Sequence, residues 1–293
     1  MNVDERPPPS LVSVVVPVRN AETTIEAQLA ALARQTYDGA WELVISDNGS
    51  RDRTLQIVGA WSDRFPAFRI VDSSAEPGVA HARNVAAETG GDLLAFCDAD
   101  DVVEDGWLAG LVAAARNADV VGGALDHASL NDGDLWSARG GATQELPRTY
   151  DFLPYAVGAN CAVRRAVFDS IGGWRAGHAG GDDVDFSWRA QLAGFTVAFA
   201  PDAVVRYRHR DSLGGVARQV FDYARSEVGL YRAYRAEGAR RRTLREVARS
   251  YLRSAAQLPL TPFSRRRRVV LVVSLAENLG RLAGSLEHRV FAP

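Results

Sequence analysis

Short apolar runs alternate with amphipathic stretches along the first hundred residues of the chain. Apolar runs predict four strands, at 11–18, 41–46, 68–71 and 93–97. The first run is rich in β-branched residues, which is typical of a strand buried on both faces of a sheet. The stretches between the four runs predict three helices, at 22–34, 52–61 and 78–89. Strands and helices that alternate with short links predict a mostly parallel sheet with helices on both faces.

The pattern is less regular from residue 102 onward. It predicts helices at 107–116, 165–170 and 183–192, and strands at 118–124, 160–163, 196–199 and 203–207. Residues 126–150 have the weak signals of a loop region, and the glycine-rich segment 172–181 predicts a mobile loop. From residue 216 the chain predicts helices, with a break near Pro259 and Pro262 because proline cannot continue a helix.

The composition is that of an ordinary folded protein, with 47% hydrophobic, 24% charged and 9% aromatic residues. It excludes wholesale disorder and collagen-like sequence. The longest strictly apolar runs, such as 269–273, are far shorter than the ~20 residues of a membrane span. The polar residues 1–10 do not resemble a signal peptide, and two cysteines, Cys97 and Cys161, suit a reducing compartment. We therefore expect a cytoplasmic protein.

The net charge of −2 conceals an uneven distribution of charge along the chain. All 34 basic residues are arginine, and residues 206–293 contain 19 of them against 7 acidic residues. An acidic front and a basic tail predict separate roles. The tail could bind anionic lipid, nucleic acid or the acidic part of its own chain. The sequence contains no recognisable nucleic-acid-binding motif that would support binding to nucleic acid.

Polar side chains follow three of the predicted strands at the point where each strand ends. Arg19 and Asn20 follow the first strand, Asp47 and Asn48 the second, and the acidic run 98–101 the fourth. Because ligands of such sheets bind beyond the carboxyl ends of the strands, we expect these side chains to converge. A carboxylate at 47 suits a hydrogen bond to a nucleotide base or ribose, and a turn with a helix cap is the alternative.

Two acidic clusters are candidates for chemistry. Asp98 and Asp100, with Asp101 beside them, would be relieved of their mutual repulsion by Mg²⁺ or Mn²⁺, and a solvated turn is the alternative. The cluster at 182–185 opens a helix after the glycine-rich loop and suits a general base. The alternative is an acidic first turn stabilised by the helix dipole.

Two basic side chains are weaker candidates. His209, after the strand 203–207, could bind a metal or a phosphate, and Arg83 could contact a phosphate. Packing or a surface ion pair is the alternative for each.

The sequence contains no GxxxxGK[ST] loop, no GxGxxG after the first strand and no GxSxG, which argues against P-loop, dinucleotide-binding and hydrolase functions.

Seven segments, taken together, resemble the family 2 glycosyltransferases, which have the GT-A fold. They are VSVVVPVRN at 12–20, DNGSRDRT at 47–54, PGVAHARN at 77–84, LLAFCDADD at 93–101, IGGW at 171–174, GDDVDFSWRAQLAGF at 181–195 and PDAVVRYRH at 201–209. Their order matches that of the family, and the resemblance covers about residues 11–210.

The resemblance implies an α/β chain with the GT-A nucleotide-diphospho-sugar transferase fold, in which a mostly parallel central sheet has flanking helices. The implied catalytic domain, 11–210, has a nucleotide-sugar-binding half at 11–101 and an acceptor-side half at 102–210. A flexible leader at 1–10 and a basic helical extension at 211–293 complete the expected organisation.

The resemblance also implies roles for individual residues. Asp183 matches the catalytic base, and Asp47 matches the acid that contacts the nucleotide base. Asp98 and Asp100 match the DxD pair, with Asp98 toward the ribose or donor sugar and Asp100 on the metal. The remaining implied roles are donor binding by Pro17, Arg19, Asn20, Asn48, Arg83 and Ala99, a metal or diphosphate contact by His209, and an acceptor side at Trp174 and Asp182.

The implied reaction is metal-dependent transfer of one sugar, with inversion, from a UDP, GDP or dTDP sugar to a hydroxyl of a glycan, glycolipid or other cell-envelope precursor. Mn²⁺ or Mg²⁺ is the expected cofactor. Two mild departures from the family pattern are Asn48 in place of a second Asp and Asp182 in place of Glu. The Gln-x-x-Arg-Trp signature of processive synthases is absent, which favours single transfer.

Two other functions compete with this one, namely a catalytically silent sugar-nucleotide-binding homologue and a nucleotidyltransferase. The intact Asp98, Asp100 and Asp183 argue against the first, and the lack of a glycine-rich basic loop after the first strand argues against the second. The basic extension suits an amphipathic segment on the inner, anionic face of the plasma membrane, and a helical cap packed on the catalytic domain is the alternative.

Overall fold

The computed structural model describes residues 6–134, 143–176, 180–257 and 264–292, and it has one eight-stranded sheet. The strand order is β3-β2-β1-β4-β7-β6-β8-β5. The strands are β1 (Val12–Val18), β2 (Trp41–Asp47), β3 (Phe68–Asp72), β4 (Leu93–Cys97), β5 (Val102–Val103), β6 (Val120–Asp126), β7 (Asn160–Arg164) and β8 (Val197–Arg206).

Helices cover both faces of the sheet and continue beyond it. They are α1 (Ile25–Leu32), α2 (Thr54–Gly59), α3 (Val79–Ala87), α4 (Trp107–Ala115), α5 (Arg165–Ile171), α6 (Asp182–Leu192), α7 (Leu213–Tyr234), α8 (Leu244–Gln257) and α9 (Arg265–Glu287). A 3₁₀ turn at Ser62–Arg64 follows α2.

The predicted alternation of strand and helix is confirmed in the first half of the chain. The strands β1–β4 pair in parallel, and every residue of β2 and β4 is buried. Alternate residues of β1 serve the two faces, since Val14 and Val16 join the core with α1 and α4, whereas Val15 joins the core with α3, α5 and α6. This double burial explains the continuous apolar runs.

The second half of the sheet departs from the prediction in three ways. β7 runs antiparallel to both β4 and β6, and a two-residue strand, β5, pairs with the end of β8. The two strands predicted at 196–199 and 203–207 are one strand, β8, with a bulge between Ala200 and Val204. The bulge accommodates Pro201, which cannot donate to the ladder.

The buried side chain of Asn160 stabilises this bulge. Its Nδ2 donates to the carbonyls of Ala124 and Ala203, each at 2.8 Å, and its Oδ1 accepts from Trp107 Nε1 at 2.8 Å. Two carbonyls at the bulge and the buried indole N–H of Trp107 are thereby satisfied.

The C-terminal helices pack on one another, and α7 also packs on α6, where Leu230 and Tyr234 share an apolar cluster with Val184 and Trp188. A Cβ at Gly280 would lie 2.3 Å from the Phe221 carbonyl, and one at Gly284 would lie 2.4 Å from the Arg225 carbonyl. Only glycine at these two positions allows α9 to approach α7 so closely. The predicted proline break falls in 258–263, outside the described residues, and the chain also leaves helical structure between α7 and α8.

Helix α9 is long and apolar enough to cross a membrane by length and composition, which the apolar runs did not suggest. Its apolar window is 44% buried within the protein. Such a helix is also typical of a soluble core, so its length alone does not indicate a span.

Candidate active site

A cavity of about 1280 Å³ lies beyond the carboxyl ends of β1 and β4. Its wall includes Arg19 and Asn20 from the loop after β1, the acidic run after β4 and the first turn of α6. The position is the one expected from the parallel arrangement, because strand ends at the same edge bring their loops together.

The loops after β1 and β2 are joined by hydrogen bonds at the cavity edge. Asn20 has a left-handed backbone, with φ of 51°, and its Oδ1 accepts from the Arg51 N–H at 2.8 Å. Pro17 and Val18 line the same wall. These bonds hold the two loops in a fixed position beside the cavity.

Asp47 and Asn48 both form local turn contacts. The two oxygens of the Asp47 carboxylate accept from the Ser50 N–H at 3.1 and 3.3 Å. These bonds form the local turn that the sequence offered as the alternative role of Asp47. Among the described residues, Asp47 is not one that lines the cavity. Asn48 lines the cavity, and its Nδ2 donates to the carbonyls of Ser73 and Glu76. A carboxylate could not donate these bonds, so Asn in place of Asp suits this position. A nucleotide-base contact by Asp47 stays a prediction.

The acidic run after β4 brings three carboxylates together. Ligand oxygens of Asp98, Asp100 and Asp101 all lie within 4.8 Å of one another. Burial raises the pKa of Asp101 well above its usual range, and the charges of Asp100 and Asp98 add to this rise. Burial and the charge of Asp98 likewise raise the pKa of Asp100.

The residues of this cluster fit a divalent cation. Asp101 is 1% exposed, and its Oδ2 has no hydrogen-bond partner within the described part of the chain. The Asp100 carboxylate has a salt-bridge partner in Arg210, but the Nη1 of that arginine lies as far as 3.8 Å from Asp100 Oδ2. Crowded carboxylates with an unpaired oxygen are the hard ligands that Mg²⁺ and Mn²⁺ prefer.

Arg83 connects the two acidic clusters. Its Nη2 donates to Asp98 Oδ1 at 2.8 Å and its Nη1 donates to Asp182 Oδ2 at 3.2 Å. Burial alone would lower the pKa of Arg83, but these two carboxylates more than offset that effect and hold it above its usual range. The alternative hypothesis of a surface ion pair for Arg83 is therefore wrong, because Arg83 is 3% exposed and lies between two residues of the site.

A glycine and a tryptophan complete the surroundings of Arg83. A Cβ at Gly158 would lie 2.6 Å from Arg83 Nη1, so that position has room only for glycine. The guanidinium carbon lies 4.8 Å from the Trp174 ring centroid, within the range of a cation–π contact.

The expected position of Trp174 is corrected by the structure. Trp174 is 3% exposed, stacks on Phe186 at 4.4 Å and meets Phe96 edge-on, and it is not among the described lining residues. Its backbone exchanges two hydrogen bonds with the side chain of Asn84. In this position Trp174 supports Arg83 from within the core and does not present a stacking surface to an acceptor.

The acidic cluster of α6 divides into three different environments. Asp182 pairs with Arg83, and Asp185 pairs with Arg189 at 2.7 Å. Asp183 accepts from the backbone N–H groups of Gly158 at 3.1 Å and Val184 at 2.8 Å, and no salt bridge to it is observed in the described part of the chain.

The environment of Asp183 makes it a candidate base. Burial and the charge of Asp182 raise the pKa of Asp183 to about 7, against the opposing effects of the Gly158 hydrogen bond and Arg83. A carboxylate with this pKa is half ionised near neutral pH and therefore suits proton transfer. It lines the same cavity as Asp98 and Asp100.

His209 lies apart from the carboxylate cluster. Its ring stacks on His127 with centroids 5.0 Å apart, and its backbone N–H donates to Asn131 Oδ1 at 2.6 Å. It lines the cavity but does not belong to the group of ligand atoms at Asp98, Asp100 and Asp101. Direct metal binding by His209 stays a prediction.

Among the cavity residues that the sequence analysis did not name, two lie in the extension. Tyr223 and Glu227, four residues apart on α7, line the cavity. The Tyr223 ring packs on Gly180, where a Cβ would lie 2.0 Å from it, and Glu227 pairs with Arg281 of α9 at 2.7 Å. Their i, i+4 spacing was the available signal.

A profile of the family described as "Glycosyl transferase family 2" matches residues 13–172. The chain belongs to this family. A second profile, described as "Glycosyl transferase family group 2", matches residues 94–275 and so includes α7, α8 and part of α9. The sequence-based recognition of the family and of the GT-A fold is confirmed, and transferase activity follows from the family.

Relatives and solved structures agree with this family membership. Glycosyltransferase AglE of Haloferax volcanii is 28% identical over 225 residues, which cover 75% of this chain and 74% of AglE. The UDP-Glc:alpha-D-GlcNAc-diphosphoundecaprenol beta-1,3-glucosyltransferase WfgD of Escherichia coli is 37% identical over 100 residues, which cover 34% of this chain and 37% of WfgD.

The similarity in structure extends over almost the whole chain. The mannosyltransferase PcManGT from Pyrobaculum calidifontis, solved with GDP-Man and Mn²⁺, superposes with a TM-score of 0.65 at 20% identity. The match covers 97% of this chain and 89% of PcManGT. TarS 1–349 of S. aureus, solved with UDP, gives a TM-score of 0.56 at 17% identity. This match covers 96% of this chain and 93% of the TarS chain.

Proposed function

We propose that this glycosyltransferase moves a single sugar, with inversion, from a nucleoside-diphosphate sugar to a hydroxyl of a glycan, a glycolipid or another cell-envelope precursor. One observation carries the proposal. Asp183, with a pKa of about 7, is the α6 carboxylate without a basic partner in the described structure, and it faces the same cavity as the crowded carboxylates after β4.

In this reaction Asp183 takes the proton from the acceptor hydroxyl. The acceptor oxygen forms a bond to the anomeric carbon while the bond from that carbon to the diphosphate oxygen breaks. The electron pair of the broken bond leaves with the nucleoside diphosphate. The hydrogen bonds from Gly158 and Val184 orient the Asp183 carboxylate, and its neighbours Asp182 and Asp185 are held by arginines.

Asp98, Asp100 and Asp101 would hold the divalent cation, Mn²⁺ or Mg²⁺. When bound, the metal would neutralise negative charge on the leaving diphosphate. The unpaired oxygen of Asp101 supports this assignment, and so does the Mn²⁺ in the PcManGT structure. Arg83 would orient Asp98, because its guanidinium is fixed by Asp182 on the other side.

Donor binding is assigned to the wall formed by the loops after β1, β2 and β4. Arg19 is exposed at this wall and suits a phosphate, while Pro17, Asn20, Asn48 and Ala99 shape it. The donors named for the neighbour structures are GDP-Man and UDP-GlcNAc. We propose a UDP, GDP or dTDP sugar for this chain.

The acceptor side is assigned to the wall that α7 contributes. Tyr223 offers an aromatic face beside Gly180, three residues before Asp183, and Glu227 offers a carboxylate to hydroxyl groups. Aromatic faces and few polar groups are typical of small-molecule sites. A lipid-linked acceptor is favoured because the relative WfgD acts, by its name, on a diphosphoundecaprenol. We accordingly propose a cytoplasmic location with the extension at the inner face of the plasma membrane.

The test is release of nucleoside diphosphate from UDP-, GDP- and dTDP-sugars with Mn²⁺, Mg²⁺ or EDTA. We expect slow release from one donor, stopped by EDTA and restored by excess metal. The Asp183→Asn variant should bind the same donor and release far less. A chain that neither releases nor binds any of these nucleotides would contradict the proposal, and donor binding without turnover in the presence of a glycan acceptor would favour a silent homologue.

A further inference from the structure

Helix α8 exposes an apolar stripe to solvent. Leu244 and Leu252 are 71% and 70% exposed, and Tyr251 between them is 38% exposed. The three residues recur at helical spacing and so lie on one side of the helix. Surface leucines this exposed are common singly, but a row of them on one helix marks an interaction surface.

Helix α9 has a second exposed apolar stripe, which consists of four leucines. They are spaced by four, three and four residues and form a single stripe, at Leu275, Leu279, Leu282 and Leu286. Leu279 is 56% exposed and Leu286 is 81% exposed. The opposite side of α9 packs on α7 through Gly280 and Gly284, so the stripe faces away from the catalytic domain.

The two helices that carry these stripes are in contact with each other. Ser250 Oγ of α8 donates to Asn278 Oδ1 at 3.3 Å, and Arg242, just before α8, contacts Glu277 at 3.3 Å. Asn278 and Glu277 directly precede Leu279 in α9. We call the exposed residues Leu244, Tyr251, Leu252, Leu275, Leu279, Leu282 and Leu286 the leucine face.

Exposed arginines lie next to the exposed leucines of α8 and at the start of α9. Exposed arginines recur every fourth residue along α8, and four more open α9 at 265–268. Arg265 pairs with Asp132, but six of these side chains have no acidic partner within 4.0 Å in the described part of the chain. The six are Arg245, Arg249, Arg253, Arg266, Arg267 and Arg268.

We propose that the leucine face and its bordering arginines dock the protein on an anionic phospholipid surface. An apolar helix side bordered by arginines is the arrangement that lies in a membrane interface, with the leucines among acyl chains and the arginines at headgroups. Each basic residue near an anionic surface strengthens binding by roughly fivefold.

The charge and packing argue against the other occupants of this face. A second copy would bring the same arginines against one another across a symmetric interface. Insertion of α9 across the bilayer would require Arg281, in the middle of the helix, to leave its partners Glu227 and Tyr150, which lie 2.7 and 3.0 Å away. The helix therefore lies on the membrane and does not span it.

The docking does not depend on the proposed activity, but it bears on where the protein would encounter an acceptor. Helix α7 lines the cavity with Tyr223 and Glu227 and carries α9 on its other side. Docking would hold the catalytic domain close to a membrane that contains a lipid-linked acceptor, with α7 and α9 between the cavity and the lipid surface, and this consequence rests on the proposed function.

The experiment is co-sedimentation of the full chain with vesicles of phosphatidylcholine, with and without 30% phosphatidylglycerol. We expect the protein to pellet with the anionic vesicles, much less with the neutral ones, and less again in 0.5 M NaCl. The triple variant Leu252→Asn, Leu279→Asn, Leu286→Asn should bind the anionic vesicles at least tenfold more weakly. Its matched control, Leu55→Asn with Leu192→Asn, changes exposed leucines outside the leucine face and should bind like the wild type.

A second set of variants tests the charge. Arg266→Gln, Arg267→Gln, Arg268→Gln should weaken binding to anionic vesicles at least tenfold, whereas the same changes at the exposed Arg34, Arg53 and Arg64 should not. Circular dichroism melting checks that each variant folds. Equal pelleting of the leucine variant and the wild type overturns the proposal, and so does a wild type that pellets with neither vesicle. A dimer in solution that the leucine variant dissociates, without pelleting of either form, would assign the face to a second copy.

Discussion

The two acidic clusters of the cavity have nearly the same composition and opposite surroundings. The carboxylates of Asp98, Asp100 and Asp101 crowd within 4.8 Å of one another, and one oxygen of Asp101 has no partner within the described residues. In the α6 cluster, Asp182 and Asp185 are each paired with an arginine. Arg83 is shared between the clusters, because it also pairs with Asp98 at 2.8 Å. The crowded Asp100 and Asp101 nevertheless suit an added divalent cation, whereas in the α6 cluster the pairing of both neighbours leaves Asp183 for proton transfer.

Two arginines set the surroundings of the α6 cluster, and only one of them was visible in the sequence. Arg189 stands four residues after Asp185 on the same helix, whereas no local pattern links Arg83 to Asp182. Arg83 reaches Asp182 from α3, and Arg189 reaches Asp185 from the next turn of α6. Acidic residues in a row thus do not indicate their own chemistry. The positions of the neutralising groups do.

The largest expected effect separates Asp183 from its neighbours. Asp183→Asn removes the proton acceptor and should lower turnover by roughly 10²–10⁴-fold. Donor affinity should stay nearly unchanged, because the amide keeps the size of the carboxylate and the donor wall is untouched. Steady-state rates and nucleotide titrations measure the two quantities.

The matched control is Asp169→Asn, which removes an exposed carboxylate of α5 that lies 3.8 Å from Arg165. It should leave turnover as in the wild type. An Asp183→Asn variant that turned over like the wild type would show that another group is the base.

The next effect concerns the cation site. Asp100→Asn should weaken the apparent affinity for Mn²⁺ by at least roughly tenfold, because metal-site substitutions commonly have effects of 10–100-fold. Metal titration of donor release and calorimetry measure it, and Asp105→Asn is the exposed control. Metal affinity that stayed the same in Asp100→Asn would remove Asp100 from the site, and a similar loss in Asp183→Asn would erase the distinction between the clusters.

The parts of this molecule that the sequence predicted are those governed by local pattern. The strands β1, β2 and β4 are buried on both faces, so their apolar runs were unambiguous, and the polar residues after them had to meet at one edge. The merging of two predicted strands into β8 was not accessible, because the bulge depends on Asn160 from β7.

The side-chain roles were less accessible because they depend on tertiary packing. Trp174 was expected at the acceptor, but Phe186 and Phe96 bury its ring. Tyr223 and Glu227 were not expected at all, since nothing local indicates that α7 folds back along the cavity. The pairing of Glu227 with Arg281 and the close approach at Gly280 are tertiary contacts that help to fix the extension there.

A smaller effect tests the paired character of the α6 cluster. Tyr234 of α7 donates its hydroxyl to Asp185 Oδ1 at 2.5 Å, and this bond is buried. Tyr234→Phe should lower the free energy of unfolding by about 1.5 kcal/mol, the lower end for a hydrogen bond to a charged group. Urea unfolding measures it.

Tyr231→Phe is the matched control, because it lies on the same helix and shows no hydrogen bond from its hydroxyl in the described structure. It should unfold like the wild type. Turnover per folded molecule should be similar in both variants, and a large loss of turnover in Tyr234→Phe alone would mean that Asp185 takes part in the reaction.

The smallest effect is in the pH profile, and it distinguishes the two clusters without changing either. Asp183 acts as a base only when ionised, and with a pKa of about 7 it is mostly protonated at pH 6 and mostly ionised at pH 8. The rate at limiting acceptor should therefore rise about tenfold over this interval. Carboxylates bound to a saturating metal stay ionised and add nothing to the slope. The stacked pair His127 and His209 in the same cavity is the competing explanation. If the rate still rises with pH in His209→Gln but no longer does so in the residual activity of Asp183→Asn, the titrating group is Asp183. If the rise is lost in His209→Gln and kept in Asp183→Asn, the titrating group is one of the histidines.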